Sequence, residues 1–182
     1  MTAGLIDPVL QTVVACALSA LFAAAAAHKG RSGLHFQAQL SEYRMLPEAL
    51  VPAAARLLML LEMLIAVALL LPASRQVAGA GAAILLAVYG LAIAINLLRG
   101  RTWIDCGCGD RPQMLSPWLL VRSALLVTGA LLVALPAFSR PVGSLDVVLG
   151  VLGFVALLVL YMAVEVLLAN ASTLREWNEA RD

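Results

Sequence analysis

A chain of 182 residues, 63% hydrophobic and only 13% charged, with a mean hydropathy of +0.96, cannot build a water-facing surface, because soluble domains carry about 25% charged residues. The composition therefore excludes a soluble enzyme domain and specifies an integral membrane protein, long enough for one helical bundle and no separate soluble domain. A net charge of +1 without a basic cluster points to no nucleic-acid partner.

The first apolar run covers residues 8–27, and about 20 residues suffice for one crossing. Its interior is small (Ala15, Cys16, Ala17, Ser19 and Ala20, then Ala23 to Ala27), and small residues let helices approach closely in lipid. No Lys or Arg precedes Ala27, so the run reads as a retained helix rather than a cleaved leader. His28-Lys29-Gly30-Arg31 reads as a helix end at headgroup level. Residues 32–50 mix Phe36, Leu40 and Tyr43 with Gln37, Gln39, Glu42 and Arg44, a blend suited to a short interfacial helix that Pro47 breaks.

The second span is 52–71, with Pro52 in its first turn. Arg56 lies near its start, and Glu62 follows about 9 Å further along the axis. The third, 76–98, begins among Gly79, Gly81 and alanines, carries Tyr89 and ends near Asn96. The fourth, 116–135, opens with Pro117 and Trp118 and holds Arg122; the fifth, 146–169, holds Tyr161 and Glu165 and runs into a polar, helical tail. Trp103, Trp118 and Trp177 fall near span ends, as interfacial anchors do. The expected fold is all-α: a polytopic bundle of about five transmembrane helices, within which a four-helix core is an alternative count.

Five spans put the first link, the loop after the third span and the C-terminus on one side. Lys29, Arg31, Arg44, Arg99, Arg101, Arg111, Arg175 and Arg181 belong to that side, against Arg75 and Arg140 on the other. The positive-inside rule turns this asymmetry into a cytoplasmic position for the loop.

That loop contains Cys106-Gly107-Cys108. Two virtual bonds of 3.8 Å keep the two Cα atoms within about 7.5 Å, inside reach of a disulfide. Gly107 absorbs the unusual dihedrals of so small a ring, and a strained disulfide is suited to exchange. Arg101 and Arg111 favour thiolate, while Asp105 and Asp110 oppose it. Three other readings stand beside redox exchange: inert thiols, a structural disulfide in an oxidising compartment, or half a zinc site completed by His28 and His35. Ligands one residue apart are a poor start for tetrahedral zinc, and no metal is expected. Cys16, mid-span among small residues, reads as core.

Glu62 is the second oddity, because a carboxyl near mid-span is costly unless protonated or paired. It either binds a quinone headgroup or relays a proton, or it fixes helix contacts through Arg56, Arg122 or His28. Glu165, nearer a helix end, is expected to snorkel, and Asn96 to cap or to bond between helices.

Taken together, Glu42-Tyr43 before Leu46-Pro47, Glu62, the run from Ile95-Asn96-Leu97-Leu98-Arg99-Gly100-Arg101 into Ile104-Asp105-Cys106-Gly107-Cys108-Gly109, and Trp118 to Arg122 resemble the methylamine-utilisation membrane protein family MauE, more distantly related to DoxX-like membrane proteins. The resemblance covers nearly the whole chain, and its most specific part is the IDCGCG stretch with its Asn-Leu-Leu-Arg-Gly approach. It implies a multi-pass protein of the bacterial inner membrane with an accessory role in maturing the small (beta) subunit of periplasmic methylamine dehydrogenase or another secreted disulfide-rich client. It implies a thioredoxin-like, membrane-anchored partner of the MauD kind. Cys106 and Cys108 become the expected catalytic thiol-disulfide pair, supported by Glu62, His28, Arg101, Asp105, Asp110 and Arg111. The alternatives are a non-enzymatic scaffold for that partner or client, or a small quinone-binding or transport module. A periplasmic client asks for the loop outside, whereas the charge asymmetry asks for it inside.

Overall fold

The computed structural model describes residues 4–101 and 116–179. Six α-helices follow in order: α1 (Pro8–Arg31), α2 (Gly33–Glu42), α3 (Val51–Leu70), α4 (Arg75–Leu98), α5 (Pro117–Ala134) and α6 (Ser144–Glu179), with a single 3₁₀ turn at Glu48–Leu50. Five of them (all but α2) are long and apolar enough to cross a bilayer, and the protein is a multi-pass inner-membrane helix bundle.

Local chemistry sets the helix ends. Asp7 caps α1, its Oδ1 accepting from Val9 N–H at 2.8 Å, and Pro8, Pro52 and Pro117 occupy first turns, where a missing N–H costs nothing. Prolines also stop helices by excluding the preceding residue from the helical region. Leu71, before Pro72, ends α3 at φ −88°, ψ 117°; Leu135, before Pro136, ends α5 at φ −75°, ψ 148°. The five long helices begin within two residues of the apolar runs, and α6 continues as helix to Glu179. One difference matters: α1 does not stop at Ala27 but carries His28, Lys29 and Arg31 as helix.

Four helices make the core. Helix α1 packs on α3, α3 on α4, α4 on α5 and α5 back on α1, and α4 and α5 are the most intimate pair. The core between the four helices mixes small and large side chains, with Ala15, Ala82 and Ala130 beside Phe22, Leu69 and Val133, all almost fully buried. Gly79 sets the α4–α5 distance, since a Cβ there would lie 2.8 Å from Ala134 N and 3.0 Å from Ala130 O. Helix α6 lies outside this ring against α1, and its apolar side chains, such as Leu149, Leu152 and Val159, face outward, as a lipid-facing helix requires. Both counts from sequence are thus realised: five spans, of which four enclose the core.

The membrane face remote from the α4–α5 loop is latched. Leu5 N–H donates to Pro136 O at 2.8 Å and Phe138 N–H to Ile6 O at 2.9 Å. Gln11 Nε2 donates to Val133 O and Leu135 O at 3.0 and 2.8 Å, satisfying carbonyls at the end of α5. Arg140 bridges Asp7 and Asp146. The opposite half is where the cavity lies.

Candidate functional site

The space lies in the half of the bundle that leads towards the α4–α5 loop. A cavity of about 470 Å³ is lined from five helices, by residues that include His28, Lys29, Glu62, Tyr89, Arg122 and Glu165. A smaller one of about 90 Å³ adjoins it, sharing Lys29, Tyr89 and Ile93 and reaching Phe36 and Tyr43.

The centre is Glu62, only 1% exposed. Lys29 Nζ lies 2.5 Å from Glu62 Oε1, and Tyr89 OH donates to the same oxygen at 2.7 Å. Glu62 Oε2 has no hydrogen-bond partner among the described residues. The Lys29 ammonium also stands 4.9 Å from the Phe36 ring centroid and 5.5 Å from that of Tyr89, where ring quadrupoles attract a desolvated cation.

Helix direction explains why these groups meet. Side chains tilt towards the N-terminus of their own helix. Lys29, two residues from the C-terminal end of α1, is therefore directed back into the bundle, away from the headgroups. Glu62 is on the antiparallel helix α3, so its tilt runs the opposite way, towards Lys29. A buried ion pair has to recover a desolvation cost of several kcal/mol per ion, and the phenol and the two rings supply part of that recovery.

The partners foreseen for Glu62 need correction. Arg56 is exposed on the outer face of α3. Arg122 forms its ion pair with Glu165, so Glu165 does not snorkel but joins α6 to α5 across the cavity. His28 lines the cavity, yet the cation on Glu62 is Lys29, which the sequence reading had placed at headgroup level. A signal for it existed: Ala15, Leu18, Phe22, Ala26 and Lys29 recur every three to four residues and are all buried, so Lys29 continues the inward stripe of α1.

Asn96 is fully buried at the end of α4. Its Nδ2 donates to Ala92 O in its own helix at 3.0 Å, so among the described residues it bonds within α4 rather than between helices. Its backbone carbonyl accepts from Arg101 N–H at 3.0 Å, and Gly100 takes a positive φ of 71°, so that the chain turns off the helix there. Cys106, Cys108, Asp105, Asp110 and Arg111 lie outside the described residues. Of the other supporting residues, the structure brings Glu62 and His28 to the cavity, while Arg101 stands at the entry to the loop. Cys16 is half-buried in α1, and His35 Nε2 lies 3.1 Å from Gln39 Nε2. Among the described residues no three His, Cys, Asp or Glu side chains are grouped to hold a metal.

Charge in the cavity balances: Lys29 against Glu62, Arg122 against Glu165. Chemically the arrangement offers donors and an acceptor beside an apolar void inside the membrane, with aromatic walls from Phe22, Tyr89 and Tyr161.

Comparison with known proteins gives a consistent picture. The family model described as methylamine utilisation protein MauE matches residues 7–137, which spans α1 to α5. A methylamine utilization protein MauE from Paracoccus versutus is 39% identical over 165 residues, 88% of either chain. One from Methylorubrum extorquens is 43% identical over 129 residues, 69% of either chain. One from Paracoccus denitrificans is 34% identical over 168 residues, 90% of this chain and 89% of that one. No solved structure matches.

Proposed function

Since this chain belongs to the MauE family and so to the methylamine-utilisation machinery, we propose that it is a membrane accessory protein for thiol-disulfide exchange during maturation of a periplasmic enzyme. The client is the small subunit of methylamine dehydrogenase, and the protein works beside a thioredoxin-like, membrane-anchored partner. The observation that carries the reading is Cys106-Gly107-Cys108 in the loop between α4 and α5. A thiol pair one residue apart suits exchange rather than stapling, and family membership supplies a client context in which disulfides must form.

The exchange conserves atoms and electrons. A thiolate of the partner or client attacks one sulfur of the Cys106–Cys108 disulfide, the other cysteine leaves as thiolate, and a second thiol of the attacking protein resolves the mixed disulfide, leaving a disulfide there and a dithiol here. Arg101 and Arg111 favour the departing thiolate. The five-span topology puts the loop on the same side as α2 and the C-terminus. Burial of Lys29 in the bundle removes one of the eight cations counted there, leaving seven against two.

The test is replacement of each cysteine by serine, with client maturation and membrane abundance read together. Expected is loss of the mature client in Cys106→Ser and in Cys108→Ser at unchanged abundance, and a Cys106–Cys108 pair caught both as dithiol and as disulfide by rapid alkylation and mass spectrometry. Full maturation in both variants overturns the exchange reading and leaves a scaffold. Labelling of Thr102→Cys by an impermeant maleimide from the periplasmic face is expected for direct exchange with the client; labelling from the cytoplasm alone overturns that route.

A further inference from the structure

The cavity around Lys29 and Glu62 has features that thiol exchange in the loop does not require. It lies between the spans, holds about 470 Å³, and falls in the range of small-molecule sites, roughly 300–1,000 Å³. We propose that it is a binding site for the head ring of a membrane quinone.

Three observations select that ligand class. The first is charge. The lysine and the arginine that line the cavity are both paired with carboxylates, Lys29 with Glu62 and Arg122 with Glu165. These four charges cancel, which suits an uncharged head ring and disfavours the phosphate of a lipid. The second is the amphoteric character of the central pair. An ammonium carries three N–H donors, and Lys29 spends one on Glu62 Oε1; the other carboxylate oxygen has no partner among the described residues. A quinone oxygen accepts a hydrogen bond and a hydroquinone oxygen donates one, so a ligand that changes role on reduction meets a partner in either state. The third is access and shape. Helices α5 and α6 both line the cavity but barely touch one another among the described residues, leaving a seam towards the lipid bridged by Arg122 and Glu165. An isoprenoid tail leaves through such a seam, while Tyr89, Tyr161 and Phe22 offer faces for the ring.

The position gives the site a use, and this part rests on the thiol-exchange reading. The polar groups sit in the half of the bundle from which α4 leads into the cysteine loop and α5 returns from it. When the two thiols of Cys106 and Cys108 become one disulfide, two S–H bonds are lost and two electrons and two protons are released. Reduction of one quinone to hydroquinone takes up both electrons and both protons. The quinone is then the oxidant that regenerates the disulfide after each client turnover.

The experiment uses the full chain, purified in detergent and stripped of lipid, with decylubiquinone as the probe. Native mass spectrometry and the ligand-induced rise in unfolding temperature read binding. Expected is saturable uptake of one probe molecule per chain, weakened at least tenfold by Glu62→Gln and by Ala25→Trp, which fills the cavity from α1 while Lys29 and Glu62 are both retained. The Cys106→Ser/Cys108→Ser variant binds as the parent does. Absence of saturable binding overturns the site, as does an Ala25→Trp protein that is folded by circular dichroism and binds with unchanged affinity. A retained phospholipid that the probe does not displace overturns it also. Saturable binding while the cysteines stay reduced upholds the site and removes the thiol reading; cysteines that cycle without any binding do the reverse.

Discussion

Removing the Lys29 ammonium while leaving Glu62 in place is the most direct challenge to the pairing on which the cavity is built. In Lys29→Met the carboxylate keeps the Tyr89 hydroxyl but loses the cation 2.5 Å away, at a site only 1% exposed. Breaking a buried pair from one side costs about 3–5 kcal/mol, because the surviving charge is left without compensation. Because the carboxylate keeps one hydrogen bond, from Tyr89, the lower end of that range, about 3 kcal/mol, is expected. Glu62→Met strands the ammonium and is expected to cost a similar amount. The double variant removes both charges and fills the volume with apolar side chains, which for buried pairs is often neutral. It should cost no more than either single, giving a coupling energy on the order of 3 kcal/mol. Tyr89→Phe, which removes one hydrogen bond inside a membrane bundle, should cost only about 0.6–1.7 kcal/mol. The assay is equilibrium unfolding in mixed micelles, followed by circular dichroism for the parent and all four variants. Additivity of the two single variants to within about 0.5 kcal/mol would refute the pairing.

Three further outcomes follow from other parts of the bundle. Gly79→Ala places a methyl 2.8 Å from the Ala134 backbone nitrogen and should destabilise by about 1–3 kcal/mol through overpacking, whereas Gly81→Ala, with nothing within 4 Å, should be neutral or stabilising by about 0.5–1 kcal/mol; unfolding midpoints compare them. Gln11→Leu leaves the carbonyls of Val133 and Leu135 without their donor and should lower stability by about 1–3 kcal/mol, read by the same unfolding assay. At the latch, hydrogen bonds from Arg140, then that from Val9 N–H, hold the Asp7 carboxyl below its usual range. A carboxyl depressed in the folded state contributes above its unfolded value and loses that contribution as pH falls through the folded one. The parent should therefore lose unfolding temperature between about pH 5 and about pH 2 more steeply than Asp7→Asn; equal slopes would count against the latch.

The candidate site was legible in parts. Glu62 was conspicuous as a lone carboxyl in an apolar span, and its need for a partner followed from the cost of charge in lipid. The identity of that partner did not follow. Arg56 is six residues from Glu62 along α3 and was a natural choice by depth, but it points away from the bundle. Lys29 belongs to another helix and was assigned to the headgroups because it follows an alanine run, a place where lysines commonly snorkel. Glu165 was misread in the same way, since its cation, Arg122, is 43 residues away. Asn96 was expected to cap or to bond between helices; among the described residues its side chain bonds one turn back along its own helix. The cavity was not legible at all, being a property of five helices at once.

What the sequence determined by itself was everything that depends on composition along one line: five apolar crossings, their ends at prolines and the family to which the chain belongs. Hydropathy and proline stereochemistry act locally, so a linear reading captures them. Only the tertiary structure decided which charges meet. That choice depends on the rotation of each helix about its axis and on the tilt of each Cβ towards its own N-terminus, which in antiparallel neighbours directs Lys29 and Glu62 towards each other. Packing of small residues around Gly79 and Ala82 closes the latched half of the bundle, and the space that it leaves in the other half is where the two ion pairs stand.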